Sequence, residues 1–281
     1  MTRGMTQWRL WMRQCAAILR LELKKNFFSR RAWWIYLLAF APVLLTGGHS
    51  LDSMRKGRWG CSIGEDVMIY AGIFQFFYLR LGIYFGCVGI FTNLFRGDLL
   101  EKTLHYYLLA PVRREVLLAS KYVAGLLASV VMFTTSAALA FLLVGYHFGS
   151  AWQDFLFRGP GLGYLGWYAL TAALACVGYG AVFLILGMIF NNPMIPAAVV
   201  MVWEAMNWLL PSALKKVSVI FYLKSLCPTE VPVDEGPWAL LAVVTEPTPA
   251  WLAVPGLLVV AALILVWAAL RARKLEITYS E

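Results

Sequence analysis

The sequence predicts an all-α integral membrane protein: an N-terminal amphipathic helix followed by six transmembrane helices, with both termini cytoplasmic. Three observations predict it. Hydrophobic residues make up 61% of the 281 positions and charged residues 14%, against about 45–50% and about 25% in soluble domains. Mean hydropathy is +0.70. The apolar residues fall in runs close to the roughly 20 residues that a helix needs to cross a bilayer, and Lys and Arg collect in alternate connections. This much apolar surface needs lipid to cover it. That argues against a water-soluble enzyme, a disordered chain, a coiled coil or a secreted disulfide scaffold.

Residues 5–28 come first. Trp8, Trp11, Met12, Cys15, Ile18 and Leu19 recur at helical spacing on one face, and Arg9, Arg13, Arg20 and Lys24 share another. This is a basic amphipathic helix suited to the membrane interface. A basic stretch of 31 residues precedes the first apolar run and no small-x-small site follows it, so that run reads as a retained span rather than a signal peptide. The spans are placed at 32–48, 67–94, 121–146, 165–190, 194–212 and 251–270. Trp33 and Trp34 anchor the first, and Trp251 and Trp267 bracket the last. Lys121 starts the third at the inner surface. Segments assigned to the inside carry 15 Lys and Arg against 7 outside, which puts both termini in the cytoplasm. No repeat or soluble domain interrupts the chain, so 1–281 is one transmembrane domain.

The longest connection, 213–250, is outside. It holds two apolar stretches, 217–223 and 238–244, each too short to span. They can dip into the outer leaflet or cap an exit path. The net charge of +9 fits basic residues gathered at a membrane surface, with lipid rather than nucleic acid as the partner. Five cysteines show no C-x-x-C spacing, and His49, His105 and His147 stand on different connections or span ends. Neither set predicts a metal site. Cys61 and Cys227 both fall outside and can bridge if that side is oxidising, although two free thiols are the simpler reading. Glycines of spans 3 and 4 (Gly125, Gly178, Gly180, Gly187) mark close helix packing. The aromatics of span 2, Phe74 to Phe85, read as packed or lipid-facing.

Two charges lie within spans: Arg80 in span 2 and Glu204 in span 5. Their similar depth suggests a pair, within one chain or across two, since unpaired charge at that depth is costly. The functional reading is a polar gate; the plainer one is a structural ion pair or a snorkelling arginine.

No P-loop, H-E-x-x-H or G-x-S-x-G motif is present, so nucleotide chemistry would have to come from another chain. The informative stretch is 98–121, DLLEKTLHYYLLAPVRREVLLASK. Asp98 and Glu101 have capping-box spacing and predict the start of a short helix over 98–110. Leu100, Leu104, Tyr107 and Leu108 would form its apolar face, and Pro111 would end it. A short helix held at the membrane surface between two long spans suits a lever docked on a cytoplasmic partner, or an ordinary interfacial loop.

An acidic residue, T-L, an apolar run and then P-V-x-R-E-x-L-L-x-x-K resembles the loop after the second span in type-2 ABC transporter permeases. The matching residues are Glu101, Thr103, Leu104, Pro111, Val112, Arg114, Glu115, Leu117, Leu118 and Lys121; the glycine usual before T-L is Lys102 here. The layout is similar along the whole chain, from the elbow-like helix at 5–28 to a tight turn at Asn191, Asn192 and Pro193. The resemblance implies the membrane half of an ATP-driven exporter, paired with an identical or related permease. It implies no cofactor in this chain, with ATP and Mg held by a separate ABC ATPase. It makes 98–110 a coupling helix, with Asp98, Glu101, Thr103, Leu104, Tyr107, Pro111, Arg113, Arg114 and Glu115 as the coupling set. The 191–193 turn would be a second contact. The plan points to a bacterial inner membrane. A structural subunit of a larger membrane complex and an intramembrane lipid-modifying enzyme are the rival readings.

Overall fold

The computed structural model describes residues 2–29, 32–56, 62–103, 107, 109, 112–206, 212–229 and 248–273, and every regular element among them is helical. Helix α1 (Thr2–Phe28) is a single helix, as its periodicity predicts. Among the described residues, five helices are long and apolar enough to cross a bilayer: α2 (Ala32–Lys56), α3 (Ile63–Phe91), α5 (Arg114–Val144), α7 (Gly161–Ile189) and α11 (Ala250–Arg273). Between them lie α4 (Asn93–Leu100), α6 (Ser150–Phe157), α8 (Met194–Ala205), α9 (Ser212–Lys215) and α10 (Val219–Lys224). The fifth predicted span, 194–212, appears as the shorter apolar helix α8; residues 207–211 lie outside the described residues, as does the apolar stretch 238–244.

The first span is longer than predicted. Gly47 and Gly48 do not end it at 48, because Ser50 and Ser53 are buried against neighbouring helices and keep the following turns packed. The second span contains a π-helical stretch, Ile73–Gly82, seen where Ile83 N–H bonds to the carbonyl of Tyr78. Such stretches change the phase of a helix and so redirect its side chains. Tyr70, Phe74, Tyr78 and Tyr84 are all fully or almost fully buried. Helices α3 and α4 together run roughly 55 Å at helical rise, well beyond the about 30 Å hydrocarbon core. Asp98 lies in the last turn of α4, at the far end of this run.

Helix α5 lies at the centre and packs against α1, α2 and α7, and α7 packs in turn on α3 and α11. The core is rich in tyrosine. Several of the buried phenols find an oxygen, as burial in apolar surroundings favours. Tyr70 donates to the Ala137 carbonyl at 2.8 Å and Tyr84 to that of Ala197 at 2.6 Å. Ser136 receives from Tyr78 at 2.7 Å and donates onward to the Ala39 carbonyl, so α2, α3 and α5 share one polar relay. By contrast Trp33, Trp34, Leu44, Trp251, Leu263 and Trp267 are each more than half exposed. So much apolar surface on two outer helices calls for lipid.

The predicted packing glycines sit at close approaches. A Cβ on Gly180 would fall 2.5 Å from the Phe91 ring, and one on Gly178 2.8 Å from Val219. At Gly187 it would meet the carbonyl oxygen of Thr92 at 2.6 Å, backbone that cannot swing aside. We expect Gly187→Ala to cost about 1–3 kcal/mol. Gly163→Ala, on the same helix with nothing within 4 Å, should be neutral or slightly stabilising. Thermal unfolding of the detergent-solubilised protein distinguishes the two.

Candidate functional site: a buried charge network at the start of α5

Lys121 lies two turns into α5 and its side chain has no exposed surface. The sequence placed this lysine at the start of the third span; its side chain turns inward onto protein groups. An ammonium has three protons to donate, and each finds an acceptor. One goes to Glu22 of α1, one to Asp98 Oδ2 at 2.5 Å and one to the Leu94 carbonyl at 2.8 Å. Asp98 Oδ1 in turn receives Lys25 Nζ at 2.6 Å, and Lys25 reaches Glu101 Oε2 at 3.1 Å. Burial alone would lower the Lys25 pKa. The hydrogen bond and charge of Asp98, then those of Glu101, outweigh burial and hold it above the ordinary lysine value. Tyr107 completes the cluster, its ring centroid 4.9 Å from Lys121 Nζ. The network thus ties α1, α4 and α5 together beside the predicted coupling segment.

Asp98 does not open a helix; it sits in the last turn of one. The D-x-x-E spacing straddles a helix end. Thr103 N–H bonds to the Asp98 carbonyl at 2.8 Å and Lys102 N–H to the Leu99 carbonyl at 3.2 Å, the paired bonds of a Schellman motif. Lys102 takes the left-handed conformation this motif needs, with φ +54°. That conformation is cheap for glycine and strained for lysine. It accounts for the glycine at this place in similar loops. Lys102→Gly should therefore stabilise the protein by about 1 kcal/mol, read as a higher melting temperature.

The other predicted coupling residues divide into two groups. Thr103 Oγ1 bonds back to Asp98 O and Oδ1, each at 3.3 Å. Arg113 stacks on Trp11 of α1, 4.5 Å from the ring centroid. Arg114 donates to the Arg273 carbonyl at 2.6 Å, and Glu115 accepts from Arg273 Nε at 2.7 Å, so these two fasten the last turn of α11. Leu104 and Pro111, with most of 104–111, lie outside the described residues; Tyr107 and Leu109 are helical. At the second turn, Asn191 and Asn192 are exposed. The Asn192 carboxamide oxygen accepts Met194 N–H at 3.2 Å, and Pro193 caps α8.

Glu204 has hydrogen-bond partners in addition to the charge of the arginine predicted for it. Its carboxylate accepts from Ser218 Oγ at 2.7 Å, Val219 N–H at 3.0 Å and Ile220 N–H at 2.9 Å. It therefore caps α10, which overlaps the apolar stretch 217–223. Arg80 adds a Coulombic attraction to Glu204, and its guanidinium lies 5.7 Å from the centroid of the Phe76 ring. Cys227 carries a free thiol, and Cys61 lies outside the described residues. Two of the three histidines expected to stand apart are neighbours: the rings of His49 and His147 are 5.8 Å apart.

Sequence reasoning missed Glu22, Lys25 and Trp11 as partners. One signal was present: Glu22 is the only acidic residue between Thr2 and Phe28. A lone acid on a basic helix has a reason to find a cation elsewhere.

A family model described as ABC-2 family transporter protein matches residues 18–207, from within α1 to the end of α8. No curated protein matches the chain. The matched region is most of the chain and contains the entire Lys121 network. With five membrane-length apolar helices around that network, the chain is an integral membrane protein and a permease component of an ABC transporter: it belongs to the ABC-2 transporter family.

Proposed function

We propose that the chain is the membrane half of an ATP-driven exporter, moved by a separate ABC ATPase that binds ATP and Mg. The observation that carries this reading is the Lys121 network. A push on the segment after Leu100 would be felt at once by α1, α4 and α5, because one buried ammonium holds all three. The coupling motion enters there, through Glu101, Thr103 and Tyr107, and the exposed turn at Asn191 and Asn192 supplies a smaller second contact. Helix α1 serves as the elbow at the inner interface, where its exposed Trp8, Leu10 and Met12 meet lipid. Residues 194–212 complete a sixth span, and the Lys and Arg bias supports cytoplasmic termini in a bacterial inner membrane. A second permease, identical or related, faces this one across the pathway.

The test is a mild-detergent pull-down of the tagged chain, followed by native mass and identification of what accompanies it. A co-purifying chain with a Walker A motif, one per permease, is the expected result. A stable complex without an ATPase would overturn the reading and leave a docking subunit of another membrane assembly.

A further inference from the structure

A cleft of about 240 Å³ opens between α1, the start of α2 and the junction of α3 with α4. Lys25, Asn26 and Ser29 line it from the end of α1, Ile35 from α2, and Asn93 and Glu101 from the opposite side. Lys25 and Ser29 also border an adjoining groove of about 410 Å³, which Leu21, Lys24, Phe28 and Tyr107 complete. Leu21 and Phe28 are 59% and 84% exposed there. Trp33 and Trp34, each about three-quarters exposed, follow Ala32 directly, and exposed tryptophans mark the level of lipid headgroups. Two features of the cleft are left unbalanced by the chain itself. Asn26 Nδ2 is buried without a hydrogen-bond partner within the chain, which is costly until an acceptor is supplied from outside. Glu22, Asp98 and Glu101 share only two ammoniums in their ion pairs, those of Lys121 and Lys25. That group therefore carries one negative charge in excess. Glu101, with a side chain 47% exposed, presents it to the outside.

A molecule that answers both features brings a cation to Glu101 and an acceptor to Asn26 Nδ2. The exposed ammonium of Lys24 in the adjoining groove favours an anion as that acceptor. A phosphate next to a primary ammonium has this pattern. The cleft is smaller than the about 300–1,000 Å³ that encloses a drug-sized ligand, so it suits a headgroup rather than a whole molecule. The apolar side chains of the groove then meet the part of the ligand that follows the phosphate. We propose that this cleft binds the headgroup of an ethanolamine phospholipid of the inner leaflet, with its ammonium on Glu101 and its phosphate toward Asn26 and Lys24. A choline headgroup has the same charges but no N–H to donate to Glu101. A purely anionic headgroup brings no cation to a group that already has one negative charge in excess. The inference rests on α1 lying at the inner interface, as proposed above, and needs no ATPase. A lipid bound here braces α1 against α4 beside Lys121 and becomes part of the joint that the network forms.

The test is thermal unfolding of the purified, delipidated full-length chain in detergent, with dioleoyl phosphatidylethanolamine, phosphatidylcholine or phosphatidylglycerol added in turn. The ethanolamine lipid should raise the midpoint by about 3–6 °C and the other two by about 1 °C or less. Native mass spectrometry should show one ethanolamine lipid retained per chain. Glu101→Gln should erase the preference among the three lipids, and Asn26→Leu should shrink the ethanolamine shift to the level of the others. If Glu101→Gln does not fold, Asn26→Leu and the native mass of the parent carry the test. Equal shifts with all three lipids, or a larger one with phosphatidylglycerol, would overturn the proposal. So would an unaltered preference in Glu101→Gln, or an equal shift from soluble glycerophosphoethanolamine, which would make the ligand a free solute instead of a lipid. A pull-down without an ATPase would leave these results as they are, so the two readings fail separately.

Discussion

Lys121→Met should lower stability by about 3–5 kcal/mol, the usual cost of removing one partner from a buried ion pair. Methionine has a similar length and volume, so packing around α5 is largely kept. What disappears is the ammonium that Glu22, Asp98 and the Leu94 carbonyl share. Asp98 keeps Lys25, but Glu22, with a side chain 3% exposed, is left as a buried charge without its cation. The penalty comes from that stranded charge, more than from the lost bonds. The triple variant Lys121→Met/Glu22→Gln/Asp98→Asn should therefore recover most of the stability. It should not recover coupling, because the contacts that make α1, α4 and α5 one body are gone. Melting temperature together with ATPase-driven transport in the reconstituted assembly separates the two effects. A single Lys121→Met variant within 1 kcal/mol of the parent would mean that the network is not closed to water.

Glu204→Ala is the second large effect, about 2–4 kcal/mol. The carboxylate takes up the Ser218 hydroxyl and the first two N–H groups of α10, donors that have no partner inside the helix. A six-residue helix cannot sustain itself on its own backbone bonds. It survives through this cap and by seating Val219 on Gly178 and Tyr222 on Gly256. Without the cap, three donors lose a charged acceptor in partly buried surroundings. The segment 212–229 should then open to protease at Lys215, Lys216 and Lys224, read by mass spectrometry of a brief trypsin digest. Glu204→Gln, which keeps one carbonyl acceptor, should show roughly half the effect. Equal protection of the parent and the alanine variant would show that packing alone holds α10.

The features read correctly from the sequence are those governed by local chemistry. The amphipathic face of α1 repeats every few residues, so it is visible without neighbours. The long spans are visible because the free energy of placing a segment in lipid depends on its own composition. Gly178, Gly180 and Gly187 were read as close contacts because a missing side chain inside an apolar helix has few other uses. The capping reading of Asp98 and Glu101 failed for a definable reason. A D-x-x-E spacing can begin a helix or straddle its end, and only the arrival of α3 and α4 from one side decides which. The Arg80–Glu204 expectation matched charges by depth, and the two do attract. What depth could not reveal is that α10 brings its own hydroxyl and N–H groups to Glu204.

Composition and periodicity alone establish a helical protein that lives in lipid, with its long spans in order and a charged segment after the second. They do so because hydrophobic transfer and helical spacing are properties of short stretches of chain. Which charges meet is a matter of packing. Glu22 and Lys121 are 99 residues apart, and Asp66 stands in α3 while His147, which faces it, stands in the turn after α5. Their meeting depends on how closely α1, α3 and α5 approach and on how each helix is rotated. That rotation follows from the glycine contacts, the buried tyrosines and the π-helical stretch acting together, and no single segment encodes it.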